Sequence, residues 1–188
     1  EYKNIIEAFA TYLIKLTNNN YSSAHITFCS YDECKTLENK NFLTRIGEQF
    51  HWKNANYHNF NDFLNSLNSR KRKAISKERN YIQNENIKII HKSGKDITHE
   101  DWDSMYDFYQ NTTDKKWGKA YLNKEFFNLL AKNFSEKILI IFAQENNTYI
   151  AGAMHIIGDK TLFGRYWGAY THIKYLHFEL CYYQAIDW

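Results

Sequence analysis

Residues 137–170 set the tightest limit on what this chain can fold into. "KILIIFAQ", "YIAGAMHIIG" and "TLFGRYWGAY" are runs of β-branched, apolar and aromatic residues. Only the turns "ENNT" and "GD" part them. Links that short cannot hold a parallel crossover, so the three runs must pair as an antiparallel meander.

The flanking segments supply helices to cover such a sheet. Ile5, Ile6, Phe9, Tyr12, Leu13 and Leu16 follow helical spacing over residues 3–17. Phe60, Phe63, Leu64, Leu67, Ala74, Ile75 and Ile82 trace one long helix, its stripe interrupted by Lys71 and Glu78. Trp102, Met105, Tyr106 and Tyr109 share a face of the next, for which Thr98 with Asp101 is an N-cap signal. Asn123 can cap a helix bearing Phe126, Phe127, Leu130 and Phe134. Leu176, Leu180, Tyr183 and Ile186 mark the last. Ser30 with Glu33 forms a capping box for a short helix over 31–39. "SAHITFCS" and "NIKIIHK" read as strands, and "FLTRIGEQFHW" as extended chain with a break at Gly47. From residue 60 the order is helix, strand, two helices, three strands, helix. That order predicts an α+β fold. The polar stretch "KNANYHN", 53–59, is the candidate linker between residues 1–52 and 60–188.

Composition removes several classes. The 188 residues carry a net charge of +3, so the basic run "SRKRKAISKER" at 69–79 is a local feature. A dedicated nucleic-acid protein would be more basic throughout. Cys29, Cys34 and Cys181 are too few and too odd in number for a disulfide framework, and a reducing compartment fits them better. His25, Cys29 and Cys34 lack zinc spacing, so no metal site is expected. No run approaches the ~18 apolar residues of a membrane helix. Seven glycines form no phosphate loop, and G-x-S-x-G, H-E-x-x-H and C-x-x-C motifs are missing from the sequence. The chain starts without Met and stops inside a helical pattern, as an excerpt of a longer protein would.

"SSAHITF", "FHWKNANYHNFNDFLNSLNSRKRKAISKER", "KKWGKAYL" and "GRYWGAY…LHFELCYYQAID" resemble the bacterial GNAT-like family of peptidoglycan biosynthesis/recognition proteins, relatives of the Fem-type peptidyltransferases. The similarity covers nearly the whole chain. It implies a GNAT fold in tandem: residues 1–52 as the tail of a first module, and 60–188 as most of a second lacking its final strands. It also implies transfer of an acyl or aminoacyl group to an amine, of a cell-wall precursor in the Fem-type relatives. The implied donor is aminoacyl-tRNA or acyl-CoA, with no permanently bound cofactor and a cytoplasmic setting. The usual CoA signature, Q/R-x-x-G-x-G/A, is replaced here by "YTHIKYLHFEL".

In that fold the strand "TLFGRYWGAY" borders the cleft, and the helix starting near Leu176 turns its N-terminus to donor phosphates. A strand N–H can stabilise the oxyanion, and a nearby side chain can move the proton. The catalytic candidates are Tyr166, His177, Glu179 and Tyr182. The donor-phosphate candidates are Arg70, Lys71, Arg72, Lys73, Lys77 and Arg165. Strict alternation would set Arg165 and Tyr166 on opposite sides of their strand. Lys116, Trp117 and Tyr121, near a helix–helix connection, are acceptor-binding candidates. Two other readings stand beside the enzyme. One is a non-catalytic module recognising cell-wall precursor or tRNA. The other is a nucleic-acid binder built on 69–79.

Overall fold

The computed structural model describes residues 2–115 and 118–188. The chain forms two compact units, Glu1–Lys53 and Asn54–Trp188.

The first unit holds α1 (Tyr2–Asn20) and α2 (Tyr31–Glu38). The capping box is present: Ser30 accepts from Glu33 N–H, and Glu33 accepts from Ser30 N–H. The Tyr2 hydroxyl donates to the Glu33 carboxylate, and Lys40 pairs with Glu7 at 3.7 Å. The strand expected over 23–30 is not there. Phe28 adopts a left-handed φ of 61° and is 89% exposed. β-branched composition alone does not make a strand without a neighbour to pair with. Residues 42–50 are likewise open chain, with Leu43, Ile46 and Phe50 exposed.

The second unit is a four-stranded antiparallel sheet in the order β1-β2-β3-β4 with helices on both faces. The strands are β1 (Lys88–Ser93), β2 (Ile138–Glu145), β3 (Thr148–Ile157) and β4 (Leu162–Ala169). The α+β reading holds. β2 is buried from Ile138 to Ala143, which explains its unbroken apolar run: both of its faces are covered. Ile138, Ile140, Phe142 and Met154 face one core with α5 (His99–Asp114) and α6 (Lys124–Phe134). Leu139, Ile141, Ala151 and Ala153 face the other, where Ile82 of α4 (Ser69–Asn84) meets Leu176 and Leu180. Those two leucines sit on α7 (Leu176–Phe178) and on the π-helical turn Glu179–Tyr183 that leads into α8 (Gln184–Asp187).

The long helix expected from residue 60 is two helices. α3 (Phe60–Ser66) ends where Leu67 turns extended, and Asn68 starts α4 by accepting from Lys71 N–H at 2.9 Å. Asn59 caps α3 in the same way. The apolar stripe runs across the break, so periodicity hides it, whereas the asparagine at each start announces it.

α5 is fixed by its capping box and by one buried carboxylate. Asp101 accepts from Thr98 N–H, from Lys92 Nζ at 2.7 Å and from the Tyr149 hydroxyl at 3.0 Å, tying α5 to β1 and β3. Burial pushes its pKa up, but Lys92, the Thr98 N–H and Tyr149 together hold it below the ordinary aspartate value. Its stabilisation is therefore complete above about pH 4, the unfolded value, and is lost as pH falls through the depressed folded value. Urea midpoints measured from pH 6 to pH 2 should fall more steeply below about pH 4 in the wild type than in Asp101→Asn. Parallel profiles would contradict this.

Candidate functional site

The outer edge of β4 carries an unusual set of contacts. Gly152 and Gly168 are partners across β3 and β4. Together they leave a floor on which Phe108 of α5 rests. A Cβ at Gly168 would run into the Phe108 backbone, and one at Gly152 would meet the Phe108 and Phe142 rings. This seat draws the C-terminal half of α5 onto β4. Thr112 then donates to the Trp167 carbonyl at 2.6 Å, and Lys115, just past the helix, donates to the Ala169 carbonyl at 2.8 Å.

Those two carbonyls point away from the sheet. Tyr170 N–H bonds Ile150 O toward β3, so Tyr170, Gly168 and Tyr166 turn their polar groups inward while Ala169 and Trp167 turn theirs out. Side chains occupy the outward carbonyls. The outward N–H groups of Trp167 and Ala169 stand beside them as donors on a strand edge.

A β-bulge interrupts β4 just before this edge. Met154 pairs with Tyr166 and His155 with Gly164, which leaves Arg165 unpaired. Strict alternation therefore fails here. The Arg165 guanidinium lies 5.1 Å from the Tyr166 ring centroid, and its Nη2 donates to the Tyr166 oxygen at 3.2 Å. The expectation that Arg165 and Tyr166 face opposite sides is corrected by that extra residue. Tyr121 completes the group, its hydroxyl 3.4 Å from that of Tyr166. Tyr109 supports both rings, at 5.1 Å from Tyr166 and 6.1 Å from Tyr121. The hydrogen bond to Tyr166, with burial second, pushes the Tyr121 phenol above its usual range, so it stays protonated and able to donate at neutral pH.

The other candidates are dispersed. Tyr166 packs into the α5/α6 face of the sheet, whereas Trp167, the next residue, packs into the opposite face. His177 is exposed on that second face, 5.1 Å from the Trp167 ring and 5.6 Å from Tyr182. Glu179 lies beneath, 3% exposed, paired with Arg79 at 3.3 Å and accepting from Gln184 at 2.6 Å. Its other oxygen is buried without a hydrogen-bond partner. Helix α7 starts at Leu176, after Tyr175 in a left-handed conformation at φ 67°. Lys116 and Trp117 lie outside the described residues.

The basic run does not form one charged stripe. Residues 70–73 are consecutive and step round the helix by about 100° each. Arg72, Lys73 and Lys77 line a shallow open groove with Ser76, Asn80, Tyr81 and Asn84; Arg70 and Lys71 are exposed outside it. Arg72 also donates to the Leu67 carbonyl at 3.2 Å, closing the end of α3. Arg79, the last base of the run, is held by Glu179 and Asp187 and lies over the Phe60 ring at 4.2 Å. α4 packs into the face opposite Tyr166. The structure thus does not bring Arg165 together with the bases of α4.

Sequence reasoning passed over Thr112, Lys115 and Phe108. Phe108 had a signal, because it widens the stripe of Trp102, Met105 and Tyr109. Cys181 is no nucleophile candidate, its thiol pushed up to about 12 by burial. Among the described residues no three His, Cys, Asp or Glu side chains stand together to hold a metal. Among them, too, no helix is long and apolar enough to cross a membrane.

A family model, FemAB-like and described as peptidoglycan biosynthesis/recognition, matches residues 1–188, the full chain. No curated protein matches it.

Proposed function

This chain belongs to the FemAB-like family, and with it goes a peptidoglycan-related function; from that premise we propose an N-acyltransferase of Fem type on a GNAT fold. It moves an acyl or aminoacyl group from aminoacyl-tRNA or acyl-CoA to an amine of a cell-wall precursor. Activated donors of these kinds belong to the cytoplasm, which we take as its setting. Residues 1–52 would be the tail of a first module and 60–188 most of a second.

One observation carries the reading. The β4 edge holds two outward N–H groups beside carbonyls already occupied by Thr112 and Lys115. Such an edge offers donors without competing acceptors. A donor carbonyl oxygen seated there would be polarised, and the tetrahedral oxyanion stabilised. The amine attacks the carbonyl carbon and forms the C–N bond. The C–O bond of an ester donor, or the C–S bond of a thioester, then breaks. The amine gives up its proton, and the leaving oxygen or sulfur takes one. Tyr166 flanks the edge and is assigned the relay: its hydroxyl passes a proton to the leaving oxygen or sulfur and is restored by the one the amine gives up. His177 and Tyr182 stand with Trp167 on the opposite face, where they suit donor positioning. Lys73 and Lys77, exposed on the α4 groove, are assigned to donor phosphates.

The test is transfer to muropeptides by the full chain from aminoacyl-tRNA and from acyl-CoA, followed by mass spectrometry. One donor should give an amide product, and Tyr166→Phe should lower kcat on the order of 10²-fold with the fold intact. Muropeptide binding without turnover from any donor would favour the non-catalytic module instead.

A further inference from the structure

Three neighbouring side chains at the β4 bulge form a cluster with more donors than it uses. Arg165 gives one N–H to the Tyr166 oxygen. The two phenols share one hydrogen bond, so one O–H is left whichever of them donates. The guanidinium also interacts with Tyr121, and its planar fork of five N–H groups has more donors than two phenol oxygens take up. Among the described residues no carboxylate pairs with Arg165, although seven other basic side chains have such partners. Arg165 and Tyr121 are both exposed, and Tyr121 is 73% so. The cluster stands on a rigid base, since Tyr109 and Phe127 pack under Tyr166. Tyr109 is itself pinned by the Leu122 N–H, which donates to its hydroxyl at 3.2 Å.

We propose that Arg165 and Tyr121, both braced by Tyr166, form a carboxylate-binding subsite, and that the amine acceptor carries the carboxylate it holds. A guanidinium fork matches a planar carboxylate in a bidentate pair. One cation with neutral phenols balances a single negative charge, and a phosphate dianion would leave charge uncompensated. The subsite borders the strand edge, so a carboxylate held there anchors the acceptor beside the carbonyl it attacks. This assignment takes Arg165 from donor phosphate to acceptor. The acceptor part of it rests on the acyl-transfer reading, and the binding part stands without it.

Binding of alanyl-alanine and of its C-terminal amide to the full chain, measured by calorimetry without any donor, tests the subsite. Alanyl-alanine should bind at least about tenfold more tightly than the amide. Arg165→Met should erase that preference while the thermal midpoint stays unchanged. Tyr121→Phe should weaken the carboxylate ligand several-fold and leave the amide alone. Equal affinity for the two ligands overturns the proposal, as does a preference that survives Arg165→Met or no binding of either at millimolar concentration. So does inorganic phosphate displacing alanyl-alanine at lower concentration than acetate does. A chain that discriminates but transfers nothing keeps the subsite and loses the transferase. One that transfers equally to carboxylate and amide acceptors keeps the transferase and overturns the assignment of the subsite to the acceptor.

Discussion

Gly168→Ala should destabilise the second unit by about 3–5 kcal/mol, well beyond an ordinary added methyl. The new Cβ would meet the backbone of Phe108, not a side chain that can rotate aside. Relief requires α5 to lift from β4, and α5 carries Trp102, Met105, Phe108 and Tyr109 into the core. Gly152→Ala is the internal comparison. Its Cβ would press on the rings of Phe108 and Phe142, at 2.9 and 3.1 Å, and rings can shift. A loss of roughly 1–3 kcal/mol is expected there. Urea unfolding of both variants, followed by fluorescence, checks the order. Equal losses would show that backbone contact is not what sets the α5–β4 spacing. The same lift would draw Thr112 and Lys115 off the edge carbonyls, so transfer should fall further in Gly168→Ala than stability alone explains.

Arg79→Met should cost about 3–5 kcal/mol, because it strips a buried carboxylate of its cation. Arg79 is 13% exposed at its side chain, and Glu179 4%. The Gln184 amide would remain as a partner to one Glu179 oxygen while the other already has none. The double variant Arg79→Met with Glu179→Met should regain most of the loss, since it leaves no buried charge stranded, and Asp187, the other partner of Arg79, is 42% exposed and solvated. Chemical denaturation of the two single variants and the double variant gives the coupling. If the double variant is as unstable as the singles combined, the pair is not the source of the effect. The outcome also bears on Glu179 as a catalytic candidate, because a residue whose removal is cured by removing Arg79 serves the fold.

Much of the second unit could be read ahead of the structure, because its signals are local. The meander follows from turns too short for any crossover. The N-cap signal at Thr98, like the capping box at Ser30 in the first unit, needs only four consecutive residues. What escaped was set by long-range contact. The glycine pair at 152 and 168 matters only once α5 is laid across it, and nothing local says which strand positions a helix will cross. The bulge at Arg165 escaped because alternation counts one residue per ladder step. Arg79 looked like one more base of a run, and only its distant partners at 179 and 187 show it to be structural. The site suffered more than the fold. Its candidates were chosen by nearness along the chain, and a strand sends neighbours such as Tyr166 and Trp167 to opposite faces.

The bulge has a consequence for how this chain can diversify. Gly164 and Tyr166 already hold the ladder positions opposite His155 and Met154. Removing the residue between them would leave a regular ladder with each remaining side chain on its present face. The sheet therefore places no demand on position 165. A single-codon deletion could discard the cation and a single-codon insertion restore it, with the core unaware of either. A ligand preference carried by a residue the architecture does not need is free to drift between lineages that keep one fold.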